Sequence, residues 1–152
     1  MKPLDLTKQR PRTCADASLG GAVFLARTID KVRAELPGGN SGVYFVLKDG
    51  TKTLSGGLFR VFKIDADEFR NVVAEAPDDA TVEKWFLERA PADKIATWNA
   101  RITGLSLADL DPDGRKQFHQ YNPGTEALPD SATIFSIIDA WDDEHWRTPG
   151  TP

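Results

Sequence analysis

The residues best suited to chemistry in this chain begin with Arg27, Asp30, Lys31 and Arg33, which follow one another closely behind an apolar stretch. On a helix, Arg27 and Lys31 stand one turn apart, opposite the stripe Leu25, Ile29, Val32 and Leu36. Both can therefore meet one carboxylate or phosphate, the kind of group an arginine fork recognises. Asp30 lies three residues from both arginines and offers either an ion-pair partner or a proton acceptor. The alternative is a solvated, ion-paired helix face, or a seam that binds the acidic C-terminal helix; exposed pairs of this kind contribute only about 0.2–1 kcal/mol.

The chain has two histidines, His119 and His145. Histidine is the one side chain that titrates near neutral pH unaided, which makes either a natural general acid or base. His119 has Tyr121 and Arg115 close by, ahead of a Pro-Gly loop. His145 belongs to an acidic cluster with Asp139, Asp142, Asp143 and Glu144. Asp139 and Asp143 repel at i,i+4 in the later half of a helix, where the macrodipole also disfavours negative charge. A broken local rule of this kind can mark a partner or a cation, and pairing with the basic N-terminal arm explains it equally well. Trp146, at the fraying end of that helix, is placed to line a pocket or meet a partner. No Gly-x-Ser-x-Gly, His-Glu-x-x-His, P-loop or Gly-x-Gly-x-x-Gly pattern gives the histidines a companion, and neither a metal nor a cofactor is expected.

Gly20-Gly21 and Gly56-Gly57 could bring backbone N–H groups to an anion at a helix start, and close helix packing or a flexible turn explains them equally well. Cys14 is the single cysteine, so an intramolecular disulfide and a cysteine-rich zinc site are both excluded. The 40% hydrophobic and 28% charged fractions are those of a globular chain. Charge shifts along its length: residues 1–36 hold 7 basic and 4 acidic residues, and residues 105–152 hold 3 and 9. With a net charge of -4 and no basic face, nucleic acid is not an expected partner. The absence of a long apolar run points away from a membrane, and the absence of a hydrophobic signal-like start points to the cytoplasm.

The elements that must position these residues are mostly helical. Residues 1–18, interrupted by Pro3 and Pro11, read as an extended N-terminal arm, and residues 19–152 as a single helical domain. Leu25, Ile29, Val32 and Leu36 recur at helical spacing before Pro37-Gly38-Gly39. The apolar Gly21–Ala26 half should be buried all round while the later half emerges toward polar surroundings. Residues 43–54 hold β-formers ahead of Asp49-Gly50, which predicts a small hairpin. Further helices are expected near 66–76 behind Asp65, 80–89, 92–103, 112–121 behind Asp111-Pro112, and 132–146 behind Asp130 or Ser131, with a short turn begun by Ser106 and Asp109. Trp85, Trp98 and Trp141 occupy apolar positions and should be core. The fold class is mainly α, a compact bundle of about six helices with one hairpin.

The segment Leu19-Gly20-Gly21 through Leu25-Ala26-Arg27-Thr28-Ile29-Asp30-Lys31-Val32-Arg33-Ala34, with Pro3-Leu4-Asp5-Leu6 and Pro11-Arg12 before it, resembles the opening of a family of short bacterial proteins catalogued only as a domain of unknown function. Ile64-Asp65-Ala66-Asp67-Glu68-Phe69 and Trp98-Asn99 resemble it too, so the match spreads along most of the chain. Residues 43–58 and the Trp-rich acidic C-terminus depart from the pattern. The resemblance implies a mainly helical bacterial cytosolic protein and carries over no catalytic residues.

The residues thus point to a binding protein for a small organic anion, with a cofactor-free lyase or isomerase as its enzymatic form. Arg27, Lys31, Arg33 and Trp146 would hold the substrate, and His119, Tyr121 or Asp30 would move protons. The competing expectation is a non-catalytic interaction module whose acidic C-terminal helix docks onto a protein partner.

Overall fold

A computed structural model describes residues 1–48 and 52–146. Among them are seven α-helices: α1 (Leu25–Glu35), α2 (Leu54–Phe62), α3 (Ala66–Glu75), α4 (Asp79–Leu87), α5 (Ala92–Thr103), α6 (Pro112–Tyr121) and α7 (Ile134–His145). A 3₁₀ turn at Leu107–Asp109 separates α5 from α6. No helix among the described residues is long and apolar enough to cross a membrane. The chain divides within α5 into two compact units, Met1–Asn99 and Ala100–Pro152.

Most helices begin where a side-chain oxygen can accept a first-turn N–H that has no partner inside the helix. Thr53 caps α2 through the Gly56 N–H, Asp65 caps α3 through Glu68, Asp78 caps α4 through Thr81, and Asp111 caps α6 through Gly114. Pro112 sits at the start of α6, where its missing N–H costs nothing. Helix α7 is capped by Thr133, through Ser136, and so begins later than Asp130 or Ser131 would have placed it.

Helix α1 begins differently. Gly20, Gly21 and Phe24 all have positive φ, at 61°, 70° and 69°. This left-handed run keeps Gly21–Phe24 out of the helix, so the apolar segment that precedes α1 is a turn. Two neighbours on α5 hold the turn. The Trp98 indole Nε1 donates to the Val23 carbonyl at 2.9 Å, while Asn99 accepts from the Val23 N–H and donates to the Gly21 carbonyl.

The core of the first unit is aromatic. Phe59 packs on Phe69 with ring centroids 5.2 Å apart, Phe62 meets both Phe86 and Trp98 edge-on, and Phe69 also meets Trp85. Leu25, Ile29, Val32, Leu58, Val73 and Val82 are fully buried in the same unit. Trp98 is buried as expected, whereas Trp85 is half-exposed beneath the Arg89 guanidinium. Residues 1–18 are tied into this unit by buried Leu6 and Cys14, by a bridge from Asp5 to Asn40, and by a hydrogen bond from the Phe24 N–H to the Cys14 carbonyl.

The hairpin near 43–54 is not found. Residues 43–48 run without strand pairing, α2 already starts at Leu54, and the Asp49-Gly50 pair expected to turn the hairpin lies outside the described residues. Thr53 explains the local choice. Its hydroxyl donates to the Val46 carbonyl at 2.9 Å and accepts from the Gly56 N–H, so the residue that would have ended a strand starts a helix instead. Gly56-Gly57 lies inside that helix, so of its expected roles the flexible turn does not apply.

The second unit is pinned by an antiparallel bridge between Ser106 and Thr133. The Leu107 N–H donates to Ala132 and the Ile134 N–H to Leu105. Ile102, Leu107, Ile134, Phe135 and Ile137 are its buried apolar residues among those described, and α6 buries none. Trp141 is half-buried, with the His145 ring stacked on it at 4.5 Å.

Candidate functional site

Three charged residues of α1 are withdrawn from solvent: Arg27 is 3% exposed, Asp30 5% and Lys31 7%. The polar side of the first two turns is therefore enclosed as well as the apolar one, while Glu35 at the C-terminal end is exposed. What encloses it is chain that a helical wheel cannot see: the N-terminal segment at Arg12, the loop at Tyr44 and the start of α2 at Ser55. A buried charge costs several kcal/mol unless it is compensated, and each of the three has polar or aromatic groups set against it.

Asp30 is gripped by Arg12. Its Oδ2 accepts from the Arg12 main-chain N–H at 2.8 Å and from Nε at 3.0 Å, and Oδ1 accepts from Nη2 at 2.8 Å. The outer edge of the same guanidinium donates to Asp79 on α4 at 2.8 Å. Burial works to lower the Arg12 pKa, but hydrogen bonds and attraction from Asp30 and Asp79 outweigh it and hold the guanidinium charged more firmly than an ordinary arginine. Both Asp30 carboxylate oxygens are thus engaged by Arg12.

Arg27 Nη1 donates to the Arg12 carbonyl at 3.1 Å, and its guanidinium lies 5.5 Å from the centre of the Tyr44 ring. Lys31 Nζ lies 4.8 Å from the centre of the Phe24 ring and donates to Ser55 Oγ at 2.8 Å. Ser55 Oγ is in turn 3.1 Å from Thr28 Oγ1, which donates to the Phe24 carbonyl at 2.8 Å. Because the single Thr28 proton is committed to Phe24, the hydroxyl chain has one direction: Lys31 to Ser55 to Thr28 to Phe24. Ser55 and Thr28 are fully buried, and Phe24, where the chain ends, is the left-handed residue ahead of α1. Strained backbone held by surrounding packing is a recurrent feature of functional sites.

Arg33 sits apart from this cluster. It is partly exposed, its Nε donates to the Lys2 carbonyl at 2.9 Å, and its Nη1 is 3.9 Å from Asp30. His119, Tyr121 and Trp146 belong to the second unit. His119 Nδ1 is 2.8 Å from Thr125 Oγ1, whose own proton goes to the Asn122 carbonyl. The ring therefore donates from Nδ1 and keeps Nε2 as its acceptor when neutral. Tyr121, two residues on, points to another side of α6. Trp146 follows the last turn of α7, edge-on to His145. Within the acidic cluster Asp142 is fully buried, while Asp143 and Glu144 are exposed. Among the described residues no group of three or more His, Cys, Asp or Glu side chains is placed to hold a metal ion.

Sequence reasoning found Arg27, Asp30 and Lys31 but missed Arg12, Thr28, Tyr44 and Ser55. Arg12 and Tyr44 lie in irregular segments without periodicity, and Ser55 lies in the helix concealed by the hairpin signal. No curated protein matches the chain. A family described as a domain of unknown function, DUF5069, matches residues 8–145, a span that includes every α1 contact described above except that from Arg33 to Lys2. The chain therefore belongs to the DUF5069 family.

Proposed function

We propose that the first unit binds a small organic anion, with Arg27 and Lys31 meeting its carboxylate or phosphate and Tyr44 lying against its organic part. The observation that supports this reading is the burial of two cationic side chains one helical turn apart, among hydroxyls and aromatic rings. Such a cluster combines donors that fix an anion with low-dielectric walls that strengthen the attraction. Arg33 plays no part in this version, and Asp30 supports the site through Arg12 rather than moving protons.

The test is a thermal-shift screen of the purified protein against small carboxylates, phosphates and aromatic acids, repeated on Arg27→Gln. A ligand at 100 times its dissociation constant adds about 2.7 kcal/mol, a rise of roughly 5–10 °C for a domain of this size. A shift with one class of anion that Arg27→Gln abolishes supports the reading. A flat screen on folded protein overturns it.

A further inference from the structure

Cations gather along the outer side of α2 and meet no carboxylate there. The helix itself carries no acidic residue: Lys52 precedes its cap Thr53, Arg60 lies on its exposed side, Lys63 is its C-cap, and Lys94 of α5 reaches the Val61 carbonyl with Nζ at 3.4 Å. The Arg60 guanidinium lies back along the helix, 3.3–3.7 Å from where a Cβ on Gly56 or Gly57 would sit. All four residues are exposed. Among the described residues none of the four forms an ion pair, whereas Arg12, Arg33, Arg70, Arg89 and Arg115 all do. The acids nearest in sequence do not serve them: Asp65 caps α3, Asp67 pairs with Arg70, and Asp93 closes no pair with its neighbour Lys94. Nine residues at about 1.5 Å each spread the strip over roughly 13 Å, which suits a row of carboxylates better than one small anion.

The complementary charge exists on the chain itself. Residues 105–152 hold 9 acidic and 3 basic residues, and within them Asp113, Glu126 and Glu144 are exposed and form no ion pair among the described residues. Neither set is paired within the chain, so both are open to another copy. We propose that the α2 strip docks a second copy of this chain through the exposed acids of that copy's second unit. The contact joins unlike surfaces, so it is either used twice in a two-fold pair or repeated head to tail. Its attraction is carried by solvent-exposed charges and is therefore screened by salt.

The experiment is sedimentation of the full chain over a range of concentrations, in about 0.01 M salt, where charges act over about 30 Å, and in about 1 M, where they act over about 3 Å. Self-association at low salt that is lost at high salt is the expected result. Arg60→Glu with Lys94→Glu should weaken it by about 10-fold or more, because like charges then face each other, and Glu126→Lys with Glu144→Lys should do the same. Mixing the two reversed variants should restore association. A monomer at low salt overturns the proposal, as do association indifferent to salt, association unchanged in a folded strip variant, and reversed variants that stay apart when mixed. Should the double strip variant not fold, Lys94→Glu alone carries the comparison with the same outcomes. A wild-type monomer that binds polyglutamate through the strip also overturns the second copy and assigns the strip to an acidic segment of another protein.

Discussion

Arg12 and Asp30, eighteen positions apart in sequence, are joined by three hydrogen bonds, two from the arginine side chain and one from its main-chain N–H. The fork fastens an irregular N-terminal segment to the most enclosed helix of the unit. Removing one partner of a buried pair leaves the other charge uncompensated, at a cost of about 3–5 kcal/mol. Arg12→Ala should therefore lower unfolding free energy by roughly 3 kcal/mol, toward the low end because the Arg12 side chain is 26% exposed. Arg12→Lys should recover less than half of that loss, because an ammonium cannot reproduce the fork. Urea denaturation of the three proteins measures both differences; equal stability of wild type and Arg12→Ala would remove the pair from any structural role.

Lys63 ends α2 in the left-handed conformation, with φ 54° and ψ 46°, and its side chain is exposed. A non-glycine residue there loses about 1 kcal/mol to contact between Cβ and the backbone, and glycine does not. Lys63→Gly should stabilise the chain by about 0.5–1 kcal/mol, after allowing for the extra freedom glycine has when unfolded. The melting temperature should rise by roughly 1–4 °C. A fall would mean that the lysine side chain contributes more than its exposure suggests.

Asp5, Asp16 and Asp78 titrate below the ordinary aspartate value chiefly because the hydroxyl of a threonine or serine two or three residues on bonds the charged carboxylate. Asp109 does so chiefly through the Ser106 N–H and then its hydroxyl. A folded pKa below the unfolded one means that stability is fully present above the unfolded value, about 4, and is lost as pH falls through the lower folded value. Asp78→Ala removes the α4 cap, so its melting temperature should lie below wild type at neutral pH. The gap should narrow once pH drops under about 4, as wild-type Asp78 takes up its proton. A gap of constant size down to about pH 2 would show that the charge is irrelevant to the cap.

Much of the helical layout is legible in the sequence because its signals are local. Asp111-Pro112 marks the start of α6, Asp65 the start of α3, and Pro37 the end of α1, each by the backbone chemistry of one or two residues. The polar side of α1 was illegible for the opposite reason. Periodicity identifies the apolar stripe, but whether the other face meets water depends on where distant chain lies, and Arg12, Tyr44 and Ser55 reach it from three separate segments. The start of α1 was hidden too, since nothing in Phe24 announces a positive φ; Trp98 and Asn99 impose the turn from α5.

Val43-Tyr44-Phe45-Val46-Leu47 has strand propensity, but a strand needs a partner edge, and Thr53 instead bonds the Val46 carbonyl and opens a helix. Gly56 and Gly57 then occupy helix interior with unequal room. A Cβ on Gly56 would come within 3.0 Å of Thr53 Oγ1 and 3.3 Å of Leu47, whereas on Gly57 the nearest atoms lie at 3.7–3.8 Å, ordinary contact distance. Alanine is better than glycine inside a helix by about 1 kcal/mol, so Gly57→Ala should stabilise by roughly 0.5–1 kcal/mol. Gly56→Ala should gain less or lose stability, because the Thr53 cap and Leu47 must shift to admit the methyl group. Had the pair formed a glycine-dependent turn with positive φ, alanine at either position would destabilise. Thermal melts of the two single variants thus separate helix from turn, and a clear loss of stability in Gly57→Ala would argue against α2 as described.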